Sequence, residues 1–157
     1  MRERTQVGDI LFYRVNPSSL KDKFIGFLQR LTGEGPGKYC HVSLVDTLDY
    51  QYEAVLPRIR RSKIDWNNPC LELWRINDAT SVQLLSMLEA AAGDVGIWYG
   101  LGDSLRGLLK RGRLTICTQY IIDSAAMGYI DLTEDKGDLL VSPDELSTYK
   151  QIRKVSA

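Results

Sequence analysis

The chain predicts an α+β fold in a single domain spanning residues 1–157. Two observations carry that expectation. The length of 157 residues suits one domain, large enough to bury roughly 70% of the surface its unfolded chain exposes without a metal or disulfide staple. The chain also runs strand, helix, a meander of strands, then helices, rather than alternating the two types.

Gly8-Asp9 opens "DILFYRV", whose β-branched and aromatic content reads as a strand. Pro17-Ser18-Ser19 starts a helix in which Leu20, Phe24, Phe27, Leu28 and Leu31 recur at helical spacing between Lys21, Lys23 and Arg30. The simplest reading is a core-facing helix; a membrane-surface or lid role is the alternative. "GEGPG" at 33–37 is a loop. "HVSLVDTLDYQYEAV" reads as two strands joined by a turn at 47–49, and "CLELWRI" at 70–76 as a third. Asp78 or Thr80 caps a helix over 81–92 that stops at Gly93. An aromatic loop, "GDVGIWYGLG", follows, then a short helix over 103–111 ending at Gly112. In "LTICTQYIIDSAAMGY", Cys117 or Thr118 begins a helix that turns Tyr120, Ile121, Ala125 and Ile122 inward and ends at Gly128. "SPDE" is a cap signal, with Ser142 at the N-cap, Pro143 at N1 and Glu145 reaching back from N3.

Composition narrows the function classes. Twenty basic and 20 acidic residues leave no net charge, so nothing overall calls for nucleic acid as a partner. Two basic clusters (Arg58, Arg60, Arg61, Lys63 and Arg106, Lys110, Arg111, Arg113) read as solvated faces, with an anion-binding surface as the alternative. No run approaches the ~20 apolar residues of a membrane span, and the charged N-terminus lacks the apolar run of a signal peptide. Three cysteines without paired spacing do not make a disulfide framework. The expectation is a cytoplasmic protein with free thiols, no integral membrane segment and no cofactor.

Could a thiol act as a nucleophile here? It needs a lowered pKa, a base and donors for a developing oxyanion. Cys40 directly precedes His41, the one histidine in the chain. Adjacent residues of a strand point to opposite faces, so these two are not expected to form a dyad. Cys70 starts a strand with no helix end beside it and reads as a structural thiol. Cys117 lies where a helix begins, and free N–H groups and the positive end of the dipole stabilise a thiolate there. Helix-start position alone does not separate that reading from a buried core thiol. His41 on its own is equally compatible with a satisfied strand residue. Glu53 is an acid inside an apolar, aromatic strand and needs a partner. If the two meander strands pair with an even residue sum, His41, Ser43 and Val45 share a face with Gln51, Glu53 and Val55, and Glu53 reaches the imidazole. An odd sum separates them. A zinc site from Cys40, His41, Cys70 and Cys117 has poor geometry, with adjacent ligands and no C-x-x-C pair.

The ordered set "GDILFYR", "YCHVSLV", "YEAV" and "ICTQYI" resembles the circularly permuted branch of the NlpC-type papain-like superfamily, which includes YiiX- and YebB-like proteins. The resemblance runs from Gly8 to the "SPDEL" segment. It implies a permuted papain-like fold, a small antiparallel sheet or partial barrel flanked by helices. The histidine and its acid precede the cysteine. It implies Cys117 as nucleophile, His41 as base and Glu53 as the residue that orients the histidine, with no metal. This chain departs from the family at Cys40, where a small residue is usual, and at Thr118-Gln119, where Ser-Glu is common. The implied activity is a thiol hydrolase cutting an amide or isopeptide bond, with small peptides, amides or peptidoglycan fragments as substrates. A thioester-mediated acyltransferase or lipid hydrolase ranks lower, because the Asn-Cys-Glu-His signature of the lecithin retinol acyltransferase relatives is absent. A non-catalytic binding module is the third reading. Tyr39 and Tyr99, with Trp98, are the candidate substrate-binding residues around the pair.

Overall fold

Apolar residues at alternate or successive positions become strands of one sheet. A computed structural model describes residues 2–16, 37–55, 57–98, 116–133 and 141–155. The helix expected at 18–31, the glycine-rich loop ahead of Gly37, the short helix at 103–111 and Tyr99 lie outside the described residues.

The expected strands are present as β1 (Ile10–Arg14), β2 (Tyr39–Val45), β3 (Tyr50–Val55) and β5 (Leu71–Ile76). Two more were not expected: β4 (Arg58–Lys63) and β6 (Ile152–Lys154). β4 carries one buried apolar side chain, Ile59, among exposed cations, so it has little of a strand's usual signature. The six strands form one antiparallel sheet in the order β4-β3-β2-β1-β5-β6. Residues 96–98 lie along the outer edge of β4, where Gly96 donates to Ile59 O and Ile59 to Ile97 O.

Helices α1 (Ser81–Gly93), α2 (Ile116–Met127) and α3 (Pro143–Leu146), with a 3-10 turn at Arg2–Arg4, complete the regular structure among the described residues. Thr80, not Asp78, caps α1: its hydroxyl accepts from Gln83 N–H and the Gln83 side chain accepts from Thr80 N–H. Ser142 caps α3 by accepting from Glu145 N–H. α2 is already helical at Ile116, one residue before the expected start. Its Tyr120, Ile121 and Ala125 are buried as the spacing predicts. Gly128 closes the gap between α1 and α2, where an added Cβ would sit 2.5 Å from Gln83 O. None of the described helices is long and apolar enough to cross a membrane.

The sheet buries both faces. Phe12, Val42, Leu44, Tyr52 and Trp74 join α1 and α2 in the larger core. Leu11, Val45, Ile64, Leu71 and Leu73 form the smaller one on the opposite face, with Tyr13 against it. Two irregularities in β2 shape everything that follows. Tyr13 pairs with His41 but Arg14 pairs with Tyr39, so Cys40 is an extra residue on β2, a bulge. In addition, the β2–β3 ladder consists of Leu44↔Tyr52 and Val45↔Gln51, and the strands part beyond them.

Candidate active site

The pairing of β2 with β3 is even, which places Glu53 on His41's face of the sheet. Glu53 stands one step diagonally from His41, within side-chain reach. His41 Nε2 lies 3.1 Å from Glu53 Oε2. The His41 side chain is 19% exposed and that of Glu53 8% exposed, so the contact is largely shielded from water. The other carboxylate oxygen, Oε1, accepts from Ser62 Oγ at 2.7 Å and Arg60 Nε at 2.9 Å. Both partners come from β4, the strand the sequence did not disclose.

α2 packs against β2 and β3 where these strands separate. Its first turn brings Cys117, 9% exposed, near the imidazole, close enough for thiol and ring to shift each other's titration. Since Nε2 is taken by Glu53, Nδ1 is the nitrogen left for the sulfur. The Val42 backbone N–H also favours the thiolate, and the Thr118 hydroxyl lies 4.0 Å from the sulfur.

Three groups titrate as one unit. Burial alone would raise the Cys117 thiol, but the hydrogen bond and charge of His41, then the Val42 N–H, outweigh it and hold the thiol below its ordinary range. Burial would lower His41; its hydrogen bonds to Cys117 and Glu53 reverse that and raise it to about 9. Burial would raise Glu53, yet the hydrogen bonds from His41 and Ser62 and the charges of His41 and Arg60 bring it down to about 2. The arrangement favours a thiolate–imidazolium pair backed by a permanent carboxylate.

The other predicted residues fare differently. Cys40 does not meet His41; its thiol points to Tyr13 O at 3.4 Å and Arg14 O at 3.9 Å. Tyr39 is a correction. The bulge at Cys40 breaks strand alternation and turns it into the larger core, 1% exposed, its ring edge-on to Phe12 and its hydroxyl donating to Glu72 Oε2 at 2.7 Å. Trp98 is exposed beside β4, and Tyr99 lies outside the described residues. The cluster around Arg58 is not a plain solvated face: Arg60 holds Glu53 and Arg61 holds Asp46 at 2.6 Å.

Sequence reasoning gave no place to Tyr13 or Ser62, set Arg60 only in a basic cluster, and put Gln51 on the face of His41 without finding its partners. A signal existed: Ser43, Gln51 and Glu53 are polar at alternate positions of otherwise apolar strands, and all three are buried.

No family model matches the chain, and no curated protein matches its sequence. Its structure is similar to the crystal structure of the metalloprotein YiiX from Escherichia coli O157:H7, with a TM-score of 0.62 over 98% of this chain and 97% of that one, at 17% identity. The fold is YiiX-like. Among the described residues, no group of three or more His, Cys, Asp or Glu is arranged to hold a metal ion.

Proposed function

We propose that this chain is a thiol hydrolase of the permuted papain-like kind, cleaving an amide or isopeptide bond through Cys117, His41 and Glu53. One observation carries the reading: a single imidazole meets a buried carboxylate through Nε2, and the buried thiol near the start of α2 is close enough to perturb it and be perturbed by it. The order of histidine strand, acid strand, cysteine helix and the likeness to YiiX support the permuted fold.

In the proposed reaction the Cys117 thiolate attacks the carbonyl carbon. Charge moves to the carbonyl oxygen, which backbone N–H groups near the start of α2 are suited to receive. As the C–N bond breaks, His41 Nδ1–H passes its proton to the leaving amine, and the acyl group stays on sulfur as a thioester. Water then attacks, gives a proton to His41 and releases the carboxylic acid, and Cys117 departs as the thiolate. Glu53 holds Nε2–H throughout and favours the imidazolium. Small peptides, amides and peptidoglycan fragments are the substrate class, and the reaction needs no cofactor.

The test is mass spectrometry of the protein with peptidoglycan fragments and small amide and ester libraries. Cleavage with a thioester at Cys117 in acid-quenched samples, lost in Cys117→Ala, is the expected result. Transfer of the acyl group to an added amine in preference to water would make the chain an acyltransferase. Binding without any thioester would make it a binding module.

A further inference from the structure

Beyond the three reacting groups lies a chain of buried hydrogen bonds in which every donor has one assignable direction. Gln51, 4% exposed, is its centre. Its carbonyl Oε1 accepts from Tyr13 OH at 2.6 Å and from Ser43 Oγ at 2.6 Å. Its amide Nε2 donates to Ser62 Oγ at 3.2 Å. An amide nitrogen has no lone pair to offer, so the Ser62 hydroxyl must spend its own proton elsewhere, and it donates to Glu53 Oε1 at 2.7 Å. Glu53 then presents Oε2 to His41. At the other end, Tyr13 lies directly across the ladder from His41, with ring centroids 5.4 Å apart.

One side chain therefore ties down two of the three walls around the imidazole. We propose that Gln51 is a positioning residue for His41: it fixes the Tyr13 ring against the imidazole and, through Ser62, aims the Glu53 carboxylate at Nε2. The proposal deepens the catalytic reading of Cys117, His41 and Glu53 and rests on it for its functional meaning. The charged and titratable groups facing the ring are Cys117 from α2, Glu53 from β3 with Arg60 of β4 on its far oxygen, and Tyr13 from β1. Gln51 is neutral and touches none of the reacting atoms, so its effect is geometric.

Because His41 is the only histidine, the nitrogen-15 spectrum of the full chain reports one imidazole without assignment. Wild type is expected to keep the proton on Nε2 when the ring is neutral. Gln51→Leu removes the amide at nearly constant volume. Its His41 midpoint should fall by about one unit, and the neutral ring should become a mixture of tautomers. Cys117 alkylation at pH 6 should slow, since a misoriented imidazole supports the thiolate less well. A role confined to packing would shift the melting temperature and leave titration and tautomer alone. If Gln51→Leu does not fold, Ser62→Ala and Tyr13→Phe cut the same chain at its two arms. An unchanged His41 midpoint and tautomer in folded Gln51→Leu, or in both substitute variants, overturns the proposal. A chain inert to every amide whose His41 titration still responds to Gln51 would sink the hydrolase reading and leave the positioning role standing.

Discussion

Glutamine in place of Glu53 probes the site at its anchor. Both carboxylate oxygens are acceptors, Oε1 from Ser62 and Arg60 and Oε2 from His41. An amide has one acceptor and one donor end, so it cannot replace both. The guanidinium of Arg60 is always a donor, which holds the amide oxygen on that side and turns the NH2 toward His41. Nε2 must then accept, and the ring proton moves to Nδ1, facing the sulfur it is meant to deprotonate. His41 stands at about 9 because Cys117 and Glu53 together overcome burial. Removing one of the two charges should lower it by roughly one unit, or about 1.4 kcal/mol. The Cys117 thiolate, and with it the rate of carboxymethylation, should fall as the imidazolium loses its anchor. Turnover of a cleavable amide should fall by roughly 10²–10⁴, the scale of a general acid–base contribution. Stability should also drop, because a buried carboxylate with three partners is replaced: about 1–2 kcal/mol, seen as roughly 2–8 °C in melting temperature. The assay is iodoacetamide kinetics followed by peptide mapping, with the His41 NMR titration alongside. Wild-type labelling kinetics and an unmoved His41 midpoint in folded Glu53→Gln would refute the reasoning and leave Glu53 a structural acid.

Limiting iodoacetamide at pH 6 should label Cys117 ahead of Cys40 and Cys70, and His41→Ala should slow that labelling; a smaller alkylating agent controls for the 9% exposure of Cys117. First labelling at Cys40 or Cys70, with Cys117 inert to both reagents, would make Cys117 a core thiol. Glu53 also sets an acid limb. Its folded pKa lies below its unfolded value of 4.5, so its stabilisation is complete above that value and is lost as pH falls toward about 2. Urea midpoints across that range should decline in wild type and flatten in Glu53→Gln; parallel curves would contradict the assignment. Gly128→Ala should cost about 1–3 kcal/mol by forcing α1 and α2 apart, since its Cβ would meet Gln83 O at 2.5 Å; an unchanged denaturant midpoint would refute the tight approach.

Local chemistry made much of the chain legible. Apolar runs located β1, β2, β3 and β5, and cap chemistry located the starts of α1 and α3, because each depends on side chains within a few residues of one another. β4 and β6 were not legible: Ile59 is the one buried residue of the first, and the second is three residues long, so each is a strand only because a neighbour pairs with it. The candidate site residues divide the same way. His41, Glu53 and Cys117 stood out by residue type, order and resemblance to a known family. Whether they met hung on a parity that the 46–49 loop sets and no local pattern reveals; Asp46 N–H bonds Tyr50 O and closes the even register. Tyr39 was misplaced because strict alternation fails at the Cys40 bulge, where one extra residue reverses every side chain before it. The sequence by itself determined which groups are available for thiol chemistry and which segments carry them. Only the tertiary structure decided that β2 and β3 part where α2 packs against them, that Ser62 and Arg60 arrive from an edge strand, and that Gln51 ties Tyr13 to Glu53. Those contacts join residues far apart in the chain, and their register is fixed by the packing of the whole sheet rather than by any residue's neighbours.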